Sequence, residues 1–239
     1  MPDFQQRNPE DVKNMFSEVS QNYDKINRAM CFGLDILWRK KLVKLALAKK
    51  SKAPKKIIDL ACGSGDVCLE LAKADKNANI VASDFCPEML AIAKQKAVLA
   101  KLENRITFQQ ADCQKMPFEN EDFDVATISF GFRNFQNRQE CLTEIARILK
   151  NNGQLAILEV SRANAFMEWA QKIFMCTIVP IIATIFGGDK KSYQYLANTT
   201  MAYPYPKEVE KMFADAGFDN VKTHKLAFGL VAITTGVKK

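Results

Sequence analysis

The stretch "IIDLACGSGD" (residues 57–66) is predicted to join a buried strand to a helix through a glycine turn. An isoleucine pair predicts the strand, and we expect Asp59 to end it. Gly63 and Gly65 allow the backbone to turn tightly into a helix whose amino-terminal end faces the loop. The pattern predicts a site for a nucleotide-like ligand at the carboxyl end of this strand.

Two familiar phosphate-binding loops do not fit this turn. A dinucleotide fingerprint needs a third glycine at position 68, which is Cys68 in this chain. A P-loop needs Gly-Lys followed by Ser or Thr, and the turn has no such sequence. The ligand is therefore expected to be bound without a phosphate-binding loop of either kind.

Strands and helices alternate on the carboxyl side of residue 56, which is typical of a parallel sheet covered by helices on both faces. A helix ending near Gly217 precedes strands near 219–225 and 228–235, whose short connection predicts an antiparallel hairpin at one sheet edge. We predict an α/β fold with a doubly wound, mostly parallel seven-stranded sheet and this C-terminal hairpin. The preceding elements are strand 56–60, helix 65–74, strand 79–84, helix 87–101, strand 105–110, strand 123–130, helix 136–149 and strand 153–160.

We expect the 239 residues to form a single domain, 1–239, with two helical additions. A helix from about residue 8 to 23 and a second one starting near Asp35 predict an N-terminal helical cap over residues 1–50. Residues 162–203 interrupt the alternation and predict a helical insertion. The insertion is expected to act as a lid, and the alternative is a helix that simply packs on the core.

The apolar run 174–188 lies inside this insertion and carries no charge. It is too short to span a bilayer, and Pro180 is expected to break it. An apolar groove of this kind would suit a lipid-like substrate.

The composition excludes several classes of partner and site. The net charge is +7, with 34 Lys and Arg residues, and lysines cluster within 40–56. The cluster fits a solvated helix face, an anionic membrane surface or nucleic acid, and the last is disfavoured because no aromatic residues interleave with the lysines. The charged first thirty residues favour a cytoplasmic protein.

Seven cysteines without a CxxC pair suggest reduced thiols. His224 is the only histidine, which argues against a zinc site or a Ser-His-Asp triad, so no metal is expected.

Acidic residues follow successive strands and indicate the ligand. Asp84 closes the second strand about twenty residues after the loop, which suits hydrogen bonds from ribose hydroxyls. Asp59 suits a cationic methionine moiety and a sulfonium. Asp112 and the backbone N–H of Cys113 come within reach of an adenine edge. The pattern indicates S-adenosylmethionine, and the alternative is a glycine turn with surface aspartates.

The fourth strand, "FDVATISFGFRNF" (123–135), should lie beside the first in such a sheet. Its carboxyl end would then border the point at which a methyl group leaves the cofactor, and Ser129 to Asn134 should line that point. Amine methyltransferases acting on nucleobases have Asn/Asp-Pro-Pro-aromatic here, whereas this chain has Gly-Phe-Arg-Asn. We therefore do not expect a nucleobase amine as substrate.

Over almost its full length the chain resembles the C-methyltransferases of menaquinone and ubiquinone biosynthesis. The resemblance implies a class I S-adenosylmethionine-dependent methyltransferase with a Rossmann-like fold. It also implies cofactor contacts at Ser64, Asp84, Asp112, Cys113 and Ser129. The matching segments are "NYDKINRAMCFGLDILWRK" (22–40), "DLACGSGD" (59–66), "ADCQKMPF" (111–118), "ISFGFRN" (128–134), "ILEVS" (157–161), "SYQYLANT" (192–199) and "MFADAGF" (212–218).

The reaction implied by the resemblance is methyl transfer to a ring carbon of a polyprenyl quinol. It would convert demethylmenaquinol to menaquinol, methylate a 2-methoxy-6-polyprenyl-1,4-benzoquinol, or do both. On this hypothesis Arg133 stabilises the developing oxyanion and Asn134 orients the quinol oxygen or a water. Tyr23 and Asp24 would close over the site. The alternative for Arg133 and Asn134 is a salt bridge plus a turn residue.

The chain departs from the family pattern at Asp35, where a histidine usually stands three residues before Trp38. Asp35 could be a helix N-cap without a chemical role. Three other functions remain: methylation of another lipid or small molecule, cofactor binding without catalysis, and RNA methylation, which charge alone suggests. A polyprenyl substrate would also require peripheral contact with the inner face of a membrane.

Overall fold

Seven strands form one sheet in the part of the chain that the computed structural model describes, residues 23–48, 55–163, 165–185 and 190–239. The strands are β1 (Lys56–Leu60), β2 (Asn79–Asp84), β3 (Ile106–Gln110), β4 (Phe123–Ser129), β5 (Leu149–Val160), β6 (Phe218–Leu226) and β7 (Val231–Lys238). The α-helices of these ranges are α1 (Tyr23–Met30), α2 (Leu34–Ala46), α3 (Asp66–Ala74), α4 (Pro87–Leu99), α5 (Arg138–Ile148), α6 (Ala165–Ile173), α7 (Val179–Ile185), α8 (Lys190–Met201) and α9 (Pro206–Asp215).

The strand order is β3-β2-β1-β4-β5-β7-β6. Strands β1 to β5 pair in parallel, whereas β7 runs antiparallel to both β5 and β6. The predicted doubly wound sheet, its C-terminal hairpin and the adjacency of the first and fourth strands are therefore confirmed. The chain reverses its direction of winding between β1 and β4, which opens a crevice at their carboxyl ends.

Alternating side chains of β1 explain the two layers of helices. Ile57 is fully buried and packs into a cluster that contains residues of α2, α3 and α4. Ile58 is also fully buried and packs on the opposite face, in a cluster that contains residues of α5 and α9. Burial of a side chain of this size contributes about 1.5–3 kcal/mol, so both faces anchor the strand.

Several element ends differ from the predicted ones by one to four residues. β1 continues through Leu60, so Asp59 lies inside the strand rather than at its end. α5 starts at Arg138 because the Asn137 side chain accepts a hydrogen bond from the backbone N–H of Glu140 (3.1 Å) and caps the helix. Gly217, with φ +91°, follows the end of α9, where the left-handed conformation favours glycine.

The N-terminal cap is described only in part. The helix predicted from about residue 8 to 23 lies almost wholly outside the described residues, and the helix predicted near Asp35 is α2. Gly33 (φ +75°) precedes α2 at the N-cap position. Asp35 is therefore not an N-cap, and its side chain is buried one residue inside the helix.

The described residues of the insertion between β5 and α9 are mainly helical. α6 passes into a π-helical turn, Phe174–Ile178, which leads directly into α7. The predicted break at Pro180 is wrong, because the wider π turn before the proline accommodates a residue that lacks a backbone N–H. No helix within the described ranges combines the length and apolarity needed to cross a bilayer.

Candidate active site

A cavity opens at the carboxyl ends of β1, β2 and β4, where the winding of the sheet reverses. Four carboxylates and a ring of small and aromatic residues surround it. The lining residues are Arg39, Asp59, Ala61, Cys62, Gly63, Ser64, Asp66, Val67, Asp84, Phe85, Cys86, Met89, Asp112, Cys113, Gln114, Ser129, Phe130, Gly131, Asn134, Phe135, Gln136 and Cys141. The structure therefore brings together every residue predicted from the sequence to bind the cofactor apart from Gly65, which lies directly behind the loop.

Close backbone approach explains two glycines of this site. A Cβ atom on Gly65 would lie 2.8 Å from the Cβ of Ala93 in α4, so only glycine allows α3 and α4 to pack this tightly. A Cβ on Gly131 would lie 2.7 Å from the Cβ of Ala61, where the loops after β4 and β1 meet. Ala61 (φ +49°) and Phe130 (φ +56°) hold left-handed conformations at these strand ends, and such strain clusters at functional sites.

Asp59 is completely buried at the base of the cavity. The Thr127 hydroxyl of β4 donates a hydrogen bond to its Oδ1 (2.7 Å). Its Oδ2 is buried and has no hydrogen-bond partner among the described residues. Burial raises the pKa of Asp59 to about 7, against the lowering effects of the Thr127 hydroxyl and the Cys68 backbone N–H. A cationic ligand next to Oδ2 would favour the ionised form.

Asp84 is held at the end of β2 by the backbone of the neighbouring loops. Its Oδ2 accepts a hydrogen bond from the N–H of Gly63 (2.7 Å), and its Oδ1 accepts one from the N–H of Cys86 (2.9 Å). Burial raises the pKa of Asp84, although these N–H groups partly oppose the shift. The carboxylate thus has a fixed orientation and keeps lone pairs that could accept hydrogen bonds from a ligand.

Asp112 and Cys113 follow β3 at the far end of the cavity. Asp112 is exposed, and its Oδ1 accepts a hydrogen bond from the backbone N–H of Gln114 (2.9 Å). Burial raises the pKa of the Cys113 thiol well above its usual value, so this side chain stays protonated. Both residues line the cavity, and their contact with an adenine edge stays a prediction.

Ser129 and Asn134 line the cavity at the end of β4. The hydroxyl oxygen of Ser129 is buried without a hydrogen-bond partner among the described residues. Asn134 accepts a hydrogen bond at its Oδ1 from the hydroxyl of Tyr195 in α8 (3.1 Å). The amide NH₂ of Asn134 has no recorded protein partner in the described part of the chain. The insertion therefore fixes a residue of the cavity wall.

Arg133 is buried beside the cavity and does not line it. Its Nη1 donates to the Oε1 of Glu159 at the end of β5 (2.7 Å) and to the backbone oxygen of Phe130 (2.6 Å). The Oε2 of Glu159 accepts the backbone N–H of Arg133 (3.0 Å). The geometry therefore corrects the predicted direct contact with an oxyanion: a guanidinium paired in this way shapes the loop after β4, in agreement with the alternative reading of a salt bridge.

Of the two residues predicted to close over the site, Asp24 lies at the glycine loop. The Ser64 hydroxyl donates a hydrogen bond to the Oδ1 of Asp24 (2.6 Å), and Lys96 of α4 donates to the Oδ2 of Asp24 (2.9 Å). Asp24 holds α1 against the loop and is not among the lining residues. Tyr23 starts α1, and its side chain lies outside the described part.

Asp66, at the start of α3, joins both N-terminal helices to the loop. Lys96 contacts its Oδ1 (2.5 Å), while Arg28 (3.3 Å) and Arg39 (3.1 Å) contact its Oδ2. Burial would raise the pKa of Asp66, but these three cations together lower it. Arg28 and Arg39 also pair with the buried Asp35. Together with Asp24, which pairs with Lys96, the network contains three acidic and three basic side chains.

The cavity suits S-adenosylmethionine on two observations. Its carboxylates match the sulfonium, ammonium and ribose groups of that molecule, and a phosphate-bearing ligand would be repelled. The buried Asp59 Oδ2 and Ser129 Oγ lack protein partners among the described residues, although buried polar atoms are normally satisfied. A ligand that reaches both atoms would satisfy them.

Sequence reasoning missed the residues that orient the predicted ones. Glu159, Lys96 and Arg39 each hold a site residue through an ion pair. Glu159 could have been found, because a carboxylate at the end of the apolar run "LAILEV" must have a buried partner. Lys96 and Arg39 belong to charged helix faces, where nothing in the local sequence distinguishes a partner from a solvated residue.

Comparison with known proteins gives the same assignment. The model of the ubiE/COQ5 methyltransferase family matches residues 4–238. The demethylmenaquinone methyltransferase of Thermus thermophilus is 40% identical over 93% of this chain and 99% of its own length. The ubiquinone/menaquinone biosynthesis C-methyltransferase UbiE of Bdellovibrio bacteriovorus is 36% identical over 97% of both chains.

Solved structures share the fold at lower identity. A possible histamine N-methyltransferase from Thermotoga maritima has a TM-score of 0.66 at 18% identity, covering 95% of this chain and 99% of its own. The Haemonchus contortus phosphoethanolamine N-methyltransferase 2, solved in complex with S-adenosyl-L-methionine, has a TM-score of 0.62 at 13% identity over 84% of this chain and 52% of its own. The chain belongs to the ubiE/COQ5 methyltransferase family and is an S-adenosylmethionine-dependent methyltransferase.

Proposed function

We propose that the protein methylates a ring carbon of a polyprenyl quinol in quinone biosynthesis, with demethylmenaquinol, a 2-methoxy-6-polyprenyl-1,4-benzoquinol, or both as acceptor. The observation that carries the proposal is Asn134, which lines the cavity at the end of β4 and is oriented by Tyr195 from the insertion. The quinone-biosynthesis methyltransferases to which the chain is similar support the same acceptor class.

S-Adenosylmethionine, when bound, supplies an electrophilic methyl group. Asp84 would hold the ribose, Asp59 the cationic methionine end, and Asp112 with Cys113 the adenine. Ser129 would contact the ligand from the end of β4. Gly63, Ser64 and Gly65 would bring the loop backbone close to it. Positioning of this kind can supply about 7–11 kcal/mol of the barrier, more than a general base contributes.

Asn134 would orient the acceptor oxygen. Because its Oδ1 accepts the Tyr195 hydroxyl, its NH₂ group is directed to other partners and can donate to a phenolate oxygen. The acceptor ring carbon would take up this methyl group, and the ring hydrogen that the methyl group replaces would leave as a proton. A donor at the phenolate oxygen stabilises the charge before attack.

Arg133, Tyr23 and Asp24 would have supporting roles. Arg133 is a positioning residue, because the Glu159 ion pair fixes the backbone that carries Asn134. Asp24 would keep α1 over the glycine loop through Ser64 and Lys96. Tyr23, which precedes Asp24 in the chain, would close over the site together with it.

The insertion would cover the polyprenyl tail as a lid and rest on the membrane that contains it. Its surface exposes Phe166, Trp169 and Ile181, and the exposed Phe32 before α2 has its ring 6.3 Å from that of Phe174. Lys40, Lys41 and Lys44 on α2 are exposed and would face anionic headgroups. This surface suits a peripheral position at the inner face of a membrane.

The test is mass spectrometry of quinols after incubation with S-adenosylmethionine and, in parallel, a reduced demethylmenaquinone and a reduced demethylated ubiquinone precursor. We expect a carbon-bound methyl group on at least one acceptor. Asn134→Ala should reduce kcat by about 10²-fold or more while cofactor binding stays intact. No methylation of either quinol by protein that binds the cofactor would contradict the proposal.

A further inference from the structure

Charge is distributed unevenly around the cavity. Among the described residues that line it, Arg39 is the one cationic side chain, whereas Asp59, Asp66, Asp84 and Asp112 are acidic. The cofactor carries two cationic groups, the sulfonium and the ammonium, and one anionic group, the α-carboxylate. The acids suit the cations, and the carboxylate requires a positive partner that the acids cannot provide.

Arg39 lines the cavity and has donor groups that no described residue uses. Its contacts with Asp35 and Asp66 both use Nη1, and no hydrogen bond of Nη2 or Nε to a described residue is recorded. The side chain is 13% exposed, and its guanidinium carbon lies 5.9 Å from the centre of the Phe130 ring. A guanidinium presents five N–H groups in a planar fork that matches a carboxylate.

We propose that Arg39 binds the α-carboxylate of the cofactor through the guanidinium nitrogens that the protein leaves open. Asp35 and Asp66 hold the other side of the guanidinium and fix its plane, so they are positioning residues. The inference rests on the cofactor and not on the proposed quinol acceptor. It also gives a role to the buried Asp35, whose carboxylate pairs with this guanidinium.

The neighbouring Arg28 is a matched control. It pairs with the same two acids, Asp66 (3.3 Å) and Asp35 (3.6 Å), but it is more exposed and does not line the cavity. Loss of Arg28 therefore weakens the same ion network without removing a group that could contact the ligand.

The test compares two ligands by titration calorimetry: S-adenosylhomocysteine and its decarboxylated analogue S-adenosyl-3-thiopropylamine. The unmodified protein should bind S-adenosylhomocysteine about ten- to a hundredfold more tightly than the analogue, as expected for a charge-assisted pair. Arg39→Met should abolish this ratio by weakening only the carboxylate-bearing ligand. Arg28→Met should keep the ratio, and Arg39→Lys should retain part of it because it keeps the charge but not the fork.

Equal weakening of both ligands in Arg39→Met would overturn the proposal and leave Arg39 a structural residue. If Arg39→Met does not fold, the unmodified protein still decides, because a ratio below about threefold would exclude a carboxylate anchor. Quinol methylation does not enter the measurement, so a wrong acceptor would leave this result unchanged.

Discussion

The two walls of the site are built differently. Among the described residues, the sheet wall rests on two clusters of 19 buried apolar residues each, whereas the cluster that joins α1 to the insertion has four: Ile26, Met175, Val179 and Ala197. The helical wall is tied to the glycine loop mainly by partly exposed ion pairs. The comparison indicates a preformed sheet wall and a less strongly held helical wall.

The largest effect should come from the ion pair behind the sheet wall. Glu159→Ala removes the carboxylate that neutralises a buried guanidinium, and we expect it to lower the free energy of unfolding by about 3–5 kcal/mol. Glu159→Gln can still accept from the Arg133 backbone and should cost less. Urea denaturation measures both. Equal, small losses in the two variants would show that the sheet wall does not depend on this pair.

A second effect on the free energy of unfolding, of up to about 4 kcal/mol, should come from Asp59 and depend on pH. Because the pKa of Asp59 is raised to about 7 in the folded protein, its ionisation opposes folding as pH rises from about 4 to 7. Without cofactor, Asp59→Asn should therefore be more stable than the unmodified protein at pH 8 and similar to it at pH 4, while binding the cofactor less tightly. Denaturation at both pH values tests this, and a constant difference would contradict it.

A matched pair of core substitutions compares the walls directly. Ile58 in β1 and Ile26 in α1 are 0% and 1% exposed. Ile58→Ala should lower the free energy of unfolding by about 2–5 kcal/mol. Ile26→Ala should lower it by about 2 kcal/mol less, because α1 can open locally while the sheet stays folded. Urea denaturation measures the loss of global stability in each variant, and hydrogen exchange of α1 amides shows whether α1 opens locally. Equal costs would mean that both walls fold as one unit.

The smallest effect should come from the ion network. Lys96→Met removes contacts with Asp24 and Asp66, which are all partly exposed, and should cost about 1 kcal/mol or less. The loss should shrink in 1 M salt, where the Debye length is about 3 Å. Thermal unfolding at low and high salt measures it. A loss that salt does not change would assign the effect to packing of the lysine stem.

The sheet could be predicted from the sequence because β1, β2 and β4 are short apolar runs bounded by turn residues, and β5 ends in such a run. The acids also could be placed, since parallel strands bring Asp59 and Asp84 to one edge. The orientation of Arg133 could not be predicted, because its partner Glu159 is 26 residues away and only the pairing of β4 with β5 brings them together. The burial of Asp35 could not be predicted either, because its partner Arg28 lies in the preceding helix, on the other side of a turn.

The contact between Gly131 and Ala61 implies a coupling between two distant positions. A methyl group at position 131 would overlap the one that Ala61 already places there, so the two loops share room for a single Cβ atom. We expect Gly131→Ala to be deleterious alone and less so when combined with Ala61→Gly. Related sequences should therefore covary at these positions, with side chains excluded from one whenever the other has one.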